Sequence, residues 1–256
     1  MAMTMEYLKL YPTTASGYRI ELAKQSRLPD VLKFLSENYY EDEKIGRMLK
    51  AGCQTNPDEE EEEEEAERGA QEDNDNLVTA VYERSPCLIA VQNGTEEIVG
   101  VILTILSRRE GEDERNGAGT AELFKSYTFK SKFVKDYYSY LAKMDEETGM
   151  HQRYPDAEAV MEFFAIAVHQ DHRRKGLAKD LSETALTIAK CIPGLRVVFG
   201  YYSSIYSRKV AEKIGMVNLF DFDLSDAFKN DEGEPVFRDV DGDSVVSVMA
   251  LEIDHA

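Results

Sequence analysis

Arg173-Arg174-Lys175-Gly176-Leu177-Ala178 sets three cations and a glycine ahead of a run that carries Leu177, Leu181, Ala185 and Ile188 on one helical face. The first N–H groups of a helix lack intrahelical partners and sit at the positive end of its dipole. This spacing therefore predicts an anion site, with backbone N–H groups from Arg174 to Ala178 directed at a phosphate. Gly176 would let the ligand approach the backbone, and Ala178 would keep the helix start uncrowded. A structural turn explains so short a motif equally well, so the flanking elements have to decide. No metal chemistry is expected, because His151, His169, His172 and His255 show no ligand-like spacing. Cys53, Cys87 and Cys191, odd in number and without a C-x-x-C pair, predict reduced structural thiols.

The elements that must position the loop are legible as patterns. Val160 to Val168 is nearly all apolar, as a central strand covered on both faces should be, so strand, basic glycine loop and helix occur in that order. Upstream, Tyr18 to Leu22 alternates as a half-buried strand. A helix capped by Ser26 and Pro29 is expected to run to Tyr39-Tyr40, with a short one over Asp42 to Lys50. Cys87 to Val91 and Ile98 to Leu106 flank Asn93-Gly94 as an antiparallel hairpin. Ser107 to Gly119 reads as a loop and Glu122 to Glu147 as one long helix. Leu195 to Tyr201 is a strand, Ser204 to Ile214 a helix stopped by Gly215, and Met216 to Phe222 and Val245 to Ile253 are further strands. Alternating strands and helices after a hairpin predict an α/β sheet of mixed direction.

Charge divides the chain. Between Asp58 and Asp75, twelve acids face one base, a local net of −11 that leaves −8 of the total −19 for the rest. Residues 52–76 lack apolar periodicity and read as a disordered acidic insertion. The remaining charge disfavours nucleic acid and attracts cations. With 31% charged residues and no apolar stretch of spanning length, no membrane segment is expected. Met1 to Leu10 lacks the pattern of a secretory signal, which points to the cytoplasm, and the chain is taken as a monomer.

The strand before the loop, Arg173-x-x-Gly176-x-Ala178, the helix, and Lys213-Ile214-Gly215-Met216 closing a helix before a strand together resemble the GNAT superfamily of N-acetyltransferases. The resemblance spans Tyr18 to Ile253. Glu41-Asp42-Glu43, Ile98-Val99-Gly100-Val101, Tyr154-Pro155-Asp156 and Ser203-Ser204-Ile205-Tyr206-Ser207 look narrower still, like the insect-type arylalkylamine (dopamine) N-acetyltransferases. That likeness implies a single GNAT-like domain over 18–253, a mixed, mostly antiparallel central sheet flanked by helices, and two central strands that splay to admit acetyl-CoA. It places Ile166, Ala167 and Val168 along the cofactor, with a backbone N–H as oxyanion donor, and Arg173, Arg174, Lys175, Gly176, Leu177 and Ala178 at its phosphates.

It further implies Glu43 as the catalytic carboxylate and Ser203 and Ser207 as its companions. A protonated amine cannot attack a thioester until it loses its proton, so a carboxylate base is chemically reasonable. Taken alone, Glu43 is one of 49 acids. The tyrosine that many members use to protonate the thiolate is replaced by Ala211, leaving Ser207 or Tyr206 as alternatives. Tyr39, Tyr40, Phe163 and Phe164 could be pocket or core, with Tyr40 the expected substrate contact because it precedes Glu43. The expected reaction is direct acetyl transfer from acetyl-CoA to a primary amine such as dopamine, serotonin, tyramine or octopamine. A polyamine acceptor, a non-catalytic coenzyme-A-binding sensor and an acidic interaction protein are the alternatives.

Overall fold

The computed structural model describes residues 17–52, 60–109, 120–125, 127–230, 232–240 and 242–253. The part of the expected loop over 110–119, the acidic stretch 53–59 and the first sixteen residues lie outside these. Strand β1 (Tyr18–Leu22) is followed by α1 (Leu28–Asn38), α2 (Lys44–Gly52) and α3 (Glu60–Arg84). The hairpin β2 (Leu88–Gln92) and β3 (Ile98–Arg108) leads to α4 (Thr120–Lys125), α5 (Lys132–Thr148) and α6 (Met150–Arg153). Then come β4 (Ala159–Val168), α7 (Leu177–Ala189), β5 (Leu195–Tyr202), α8 (Ile205–Lys213), β6 (Val217–Asp223), α9 (Leu224–Ala227) and β7 (Val245–Glu252). No described helix is long and apolar enough to cross a membrane.

The strands form one seven-stranded sheet in the order β1-β2-β3-β4-β5-β7-β6. Every neighbouring pair is antiparallel except β4 and β5, which run parallel. This is the mixed, mostly antiparallel α/β sheet expected. Both faces are covered, which explains why β2 and β3 read as continuous apolar runs. Ile89, Val91, Val101 and Leu103 join one core with α1, α2, α3 and α5, whereas Leu88, Ala90 and Ile102 join the other with α7.

Three expectations are corrected. The segment 52–76 is helical from Glu60 onward, because the α3 residues Leu77, Val78, Val81 and Tyr82 are buried at helical spacing and anchor the acidic turns before them. The helix expected over Glu122 to Glu147 is two helices, α4 and α5. One side chain accounts for the break: Asp73 on α3, fully buried, accepts from the backbone N–H of Lys130 (2.9 Å) and Ser131 (2.8 Å) and from the Tyr127 hydroxyl (3.0 Å). These bonds hold residues 127–131 in a non-helical course, and Ser131 then caps α5 by accepting from Val134 N–H at 3.4 Å. The start of α1, finally, lies at Arg27 with no side-chain cap, although Pro29 does sit in its first turn.

Because Asp73 serves three donors in a buried site, Asp73→Ala should destabilise the fold by about 3 kcal/mol, the cost of leaving such donors unpartnered. Asp73→Asn, which keeps one acceptor, should lose less. Urea unfolding of the three proteins would check this order, and an Ala variant as stable as the parent would remove Asp73 from the account of α5.

Candidate active site

The sheet opens between its two parallel strands. β4 pairs with β5 from Ala159↔Leu195 to Glu162↔Phe199 and no further, while β4 continues along β3 to Val168 and β5 continues along β7 to Tyr202. The separation begins at a bulge, since β3 pairing steps from Thr104↔Phe163 to Leu103↔Ala165 and leaves Phe164 without an opposite residue. Beyond it His169 N–H donates to Val99 O at 3.0 Å, which sets the phase of the ladder. Alternation then faces Ala167 toward β3 and turns the N–H and C=O of Ile166 and Val168 into the gap that β5 has left. Of the three β4 residues singled out, two present their backbone there.

The basic loop closes one end of the gap. Arg174 (φ 62°) and Gly176 (φ 88°) are both left-handed, and no side chain caps the first turn of α7. A Cβ built at Gly176 would meet nothing within 4 Å, so it is the backbone angle that requires glycine there. The uncapped N–H groups of Leu177 and Ala178 suit an anionic ligand. Lys175 Nζ donates to the Tyr18 hydroxyl at 3.3 Å, and that hydroxyl lies 2.8 Å from His172 Nδ1. Arg173 spans outward: its Nε donates to Val168 O at 3.0 Å and its terminal nitrogen pairs with Asp42 at 2.7 Å. The loop that could hold a pyrophosphate is thereby joined to the turn that carries Glu43.

That turn follows α1, with Asp42 and Glu43 N–H both donating to Tyr39 O. The Glu43 carboxylate folds back over the start of α2, where Oε1 accepts from Ile45 N–H (3.0 Å) and Oε2 from Gly46 N–H (2.7 Å) and the Tyr137 hydroxyl (3.1 Å). Burial raises its pKa above the usual carboxylate range, opposed by those three donors and by the charge of Arg47. Burial and the neighbouring Glu43 also push the Tyr137 phenol well above its ordinary value, so it remains a donor.

Glu43 borders a cavity of about 50 Å³. Its walls are Tyr39 and Tyr40 after α1, Asn74 and Val78 of α3, Phe133, Tyr137 and Tyr138 of α5, and Leu103, Phe164 and Ala165 of the sheet. Phe164 and Ala165, adjacent in sequence, line the same space because the bulge turns both to one face. Tyr39 meets Tyr40 edge-on at 5.7 Å between ring centres.

Ser203 and Ser207 stand elsewhere, at the end of β5 and in the first turn of α8. Ser207 is bound into a capping box: its N–H donates to Ser204 Oγ (3.1 Å), its Oγ accepts from Ser204 N–H (3.3 Å), and that Oγ donates to Ser204 O (2.9 Å). Ala211 is fully buried, and Tyr206 is 79% exposed. The structure thus gathers Glu43 and Tyr40 at one cavity and leaves the serines across the gap.

A residue that sequence reasoning passed over links the two sides. Asp243 lies 3.5 Å from Lys44 Nζ, a buried ammonium next to Glu43 in sequence, and also pairs with Arg208, next to Ser207. No motif marks Asp243. Tyr137 and Tyr138 were visible as part of a helical pattern, but nothing in that pattern separates cavity wall from core. Asn74 was hidden inside the acidic segment. Among the described residues, no group of His, Cys, Asp and Glu is arranged to hold a metal.

The family model described as Acetyltransferase (GNAT) family matches residues 47–216. Solved structures of similar fold include the mosquito protein named arylalkylamine N-acetyltransferase like 5b, at 19% identity and TM-score 0.72, with 92% of this chain and 100% of that chain covered. Arylalkylamine N-acetyltransferase 2 from Aedes aegypti matches at 17% identity and TM-score 0.72, covering 93% and 100%. The polyamine N-acetyltransferase of Drosophila melanogaster, described as forming N-acetylagmatine, matches at 15% identity and TM-score 0.69, covering 92% and 100%. At these identities the likeness is one of fold.

A side chain at Gly176 must adopt a strained positive φ, and a carboxylate there would repel a pyrophosphate. Gly176→Glu should remain folded yet raise the Kd for coenzyme A by ~10-fold or more, equivalent to about 1.4 kcal/mol. Calorimetry on a folded variant with unaltered affinity would remove the loop from the binding site.

Proposed function

Because the chain belongs to the GNAT family of acetyltransferases, which use acetyl-CoA as co-substrate, we propose that it acetylates the primary amine of an arylalkylamine by direct attack in a ternary complex. One observation carries the reading: a half-buried carboxylate and a cluster of aromatic rings meet at the bulge where β4 exposes its backbone.

Bound acetyl-CoA supplies an acyl group already activated as a thioester. The α7 N-terminus and the Arg173 to Ala178 loop hold its pyrophosphate, with Arg174 as an exposed cation beside it. The N–H groups of Ile166 and Val168 hydrogen-bond along the gap, where a donor fixed before reaction can stabilise negative charge on the acyl oxygen. Ala167, facing β3, contributes packing.

Glu43 takes the proton from the ammonium of the acceptor. A carboxylate has about four lone-pair positions, and Ile45, Gly46 and Tyr137 occupy three of them. The last is left for the amine, directly or through a water. A pKa raised by burial makes Glu43 a stronger base than a solvated acid, which suits this transfer. The Tyr40 ring is the substrate contact, and at about 50 Å³ the cavity must widen, since one that admits benzene is about 150 Å³. Ser203 and Ser207 serve the thiolate side. Ser207 would have to release Ser204 O to donate there, and Ala211 offers no hydroxyl.

Glu43→Gln retains hydrogen bonding but lacks the basic electron pair, so kcat should fall ~10²- to 10⁴-fold with coenzyme A affinity retained. Since burial moves the Glu43 pKa upward, the acid limb of the wild-type rate profile should lie above the usual carboxylate range and vanish in the variant. The deficit should shrink in alkaline buffer, where free amine comes from solution. Thiol release across aromatic amines, agmatine and lysine peptides tests the reading as a whole. Coenzyme A binding without thiol release from any of them would make the protein a sensor, and a variant with the parental profile would remove Glu43 from the chemistry.

A further inference from the structure

Lys175, the cation nearest Gly176 in the basic loop, is engaged before any ligand arrives. Its Nζ donates to the Tyr18 hydroxyl of β1 at 3.3 Å, and the same hydroxyl lies 2.8 Å from His172 Nδ1, with the two rings edge-on at 5.5 Å between centres. Tyr18 is buried, so its hydroxyl proton needs a partner. An ammonium can only donate; Lys175 therefore occupies a lone pair of the hydroxyl, and the hydroxyl proton goes to Nδ1. The chain then runs one way, from Lys175 through Tyr18 to a neutral imidazole whose own proton sits on Nε2. A protonated His172 would have to compete with Lys175 for the same oxygen.

The imidazole reaches β1 through the shifted phase of β4. His169 N–H donates to Val99 O at 3.0 Å, and His172 N–H turns back to His169 O at 2.9 Å. The titratable and charged groups that face the ring are Tyr18 of β1, Lys175 and Asp171 of the loop, Glu97 of the β2–β3 turn and His169, whose ring centre is 5.6 Å away. Burial, then Lys175 and His169, hold the His172 pKa below the ordinary imidazole value, against Asp171 and Glu97. The ammonium that opposes protonation of His172 is thus the one that stands in the phosphate loop.

We infer that this loop takes up a proton together with its phosphate ligand: Lys175 leaves Tyr18 for the anion, and His172 gains a proton on Nδ1 and donates it to the oxygen that Lys175 has vacated. The inference rests on the reading, given above, that Arg173 to Ala178 hold the coenzyme A pyrophosphate. The proton comes from solvent, the only bond formed is the Nδ1–H bond, and the Tyr18 hydroxyl proton turns from Nδ1 to water. Two effects act in the same direction, since withdrawing an ammonium from the ring and bringing an anion near it both favour the imidazolium. His172 becomes one more cation at the site, and Tyr18 is the positioning residue that lets Lys175 and His172 exchange places on one oxygen. Because the His172 pKa is then higher in the complex than in the free protein, affinity is greatest below the bound value and is lost as pH rises through it.

Calorimetry with dephospho-coenzyme A tests this. Its pyrophosphate is esterified at both ends and exchanges no proton near neutrality, whereas the phosphate monoester of coenzyme A has a pKa of about 6. Binding heats in buffers of high and low ionisation enthalpy count the protons. At about pH 6.5, the ordinary imidazole value, the parent should take up roughly half a proton or more. Its Kd should rise ~10-fold between about pH 6 and pH 8, the effect of a pKa difference of one unit. His172→Gln should abolish the uptake and flatten the pH dependence. Tyr18→Phe, which leaves both the lysine and the histidine in place, should lower the uptake to less than half of the parental value. Binding by the parent without proton uptake would overturn the inference, and that measurement needs no variant to fold. Parental uptake in His172→Gln would assign the proton to another group, and parental uptake in Tyr18→Phe would remove the exchange on its oxygen; either result overturns the inference. Failure of the phosphate-loop reading looks different: the parent would bind neither dephospho-coenzyme A nor coenzyme A.

Discussion

Everything proposed for this chain depends on one extra residue in β4. Phe164 has no opposite number on β3, and past it the two parallel strands are no longer bonded. An inserted residue shifts the alternation by one, so the backbone groups that face the gap change from the odd to the even positions. The same shift puts two successive side chains, Phe164 and Ala165, on the face covered by α1, α2, α3 and α5, where they floor the cavity beside Glu43. A regular strand would have kept pairing with β5, and neither an exposed backbone edge nor this floor would exist.

The helical side is attached to the gap through charges placed with economy. The chain carries a net −19, yet the turn before α2 is tied by cations on both flanks. Arg173 reaches Asp42 from the loop before α7, and Lys44 meets Asp243, which in turn holds Arg208 on α8. The Arg173 pair is exposed and worth little by itself. The buried Lys44 is different, because a buried ammonium without its carboxylate is expensive. Asp243 thus fixes α2 against α8 more firmly than its place in an unpatterned loop implies.

How much of this could be read beforehand follows the range of the forces involved. The strands, the hairpin and the loop at Gly176 leave marks a few residues long: alternation, Asn-Gly, and glycine where the chain enters a helix. Local marks were also enough for α2 and α7. The bulge at Phe164 left none, since a central strand is apolar on both faces with or without it, and the splay was expected through resemblance alone. Asp73 shows the converse failure. Its neighbours look like a solvated acidic run, but its bonds go to residues 57 and 58 positions away, and that distant contact both orders α3 and breaks the helix expected over 122–147. The Glu43 carboxylate was singled out by family likeness; its role as the cap of α2 shows only in its bonds to the Ile45 and Gly46 N–H groups.

Arg173 gives the last consequence. One guanidinium binds the Val168 carbonyl at the gap and the Asp42 carboxylate beside Glu43. A ligand that fixed Arg173 on one side would restrict the turn on the other, and the two binding events would share only the small free energy that this exposed pair carries. That quantity is reciprocal: whatever amount the first ligand contributes to ordering the turn, an occupant of the cavity returns to the first ligand as tighter binding. The order in which the two arrive can then differ between enzymes of this shape without any change in the groups that do the chemistry.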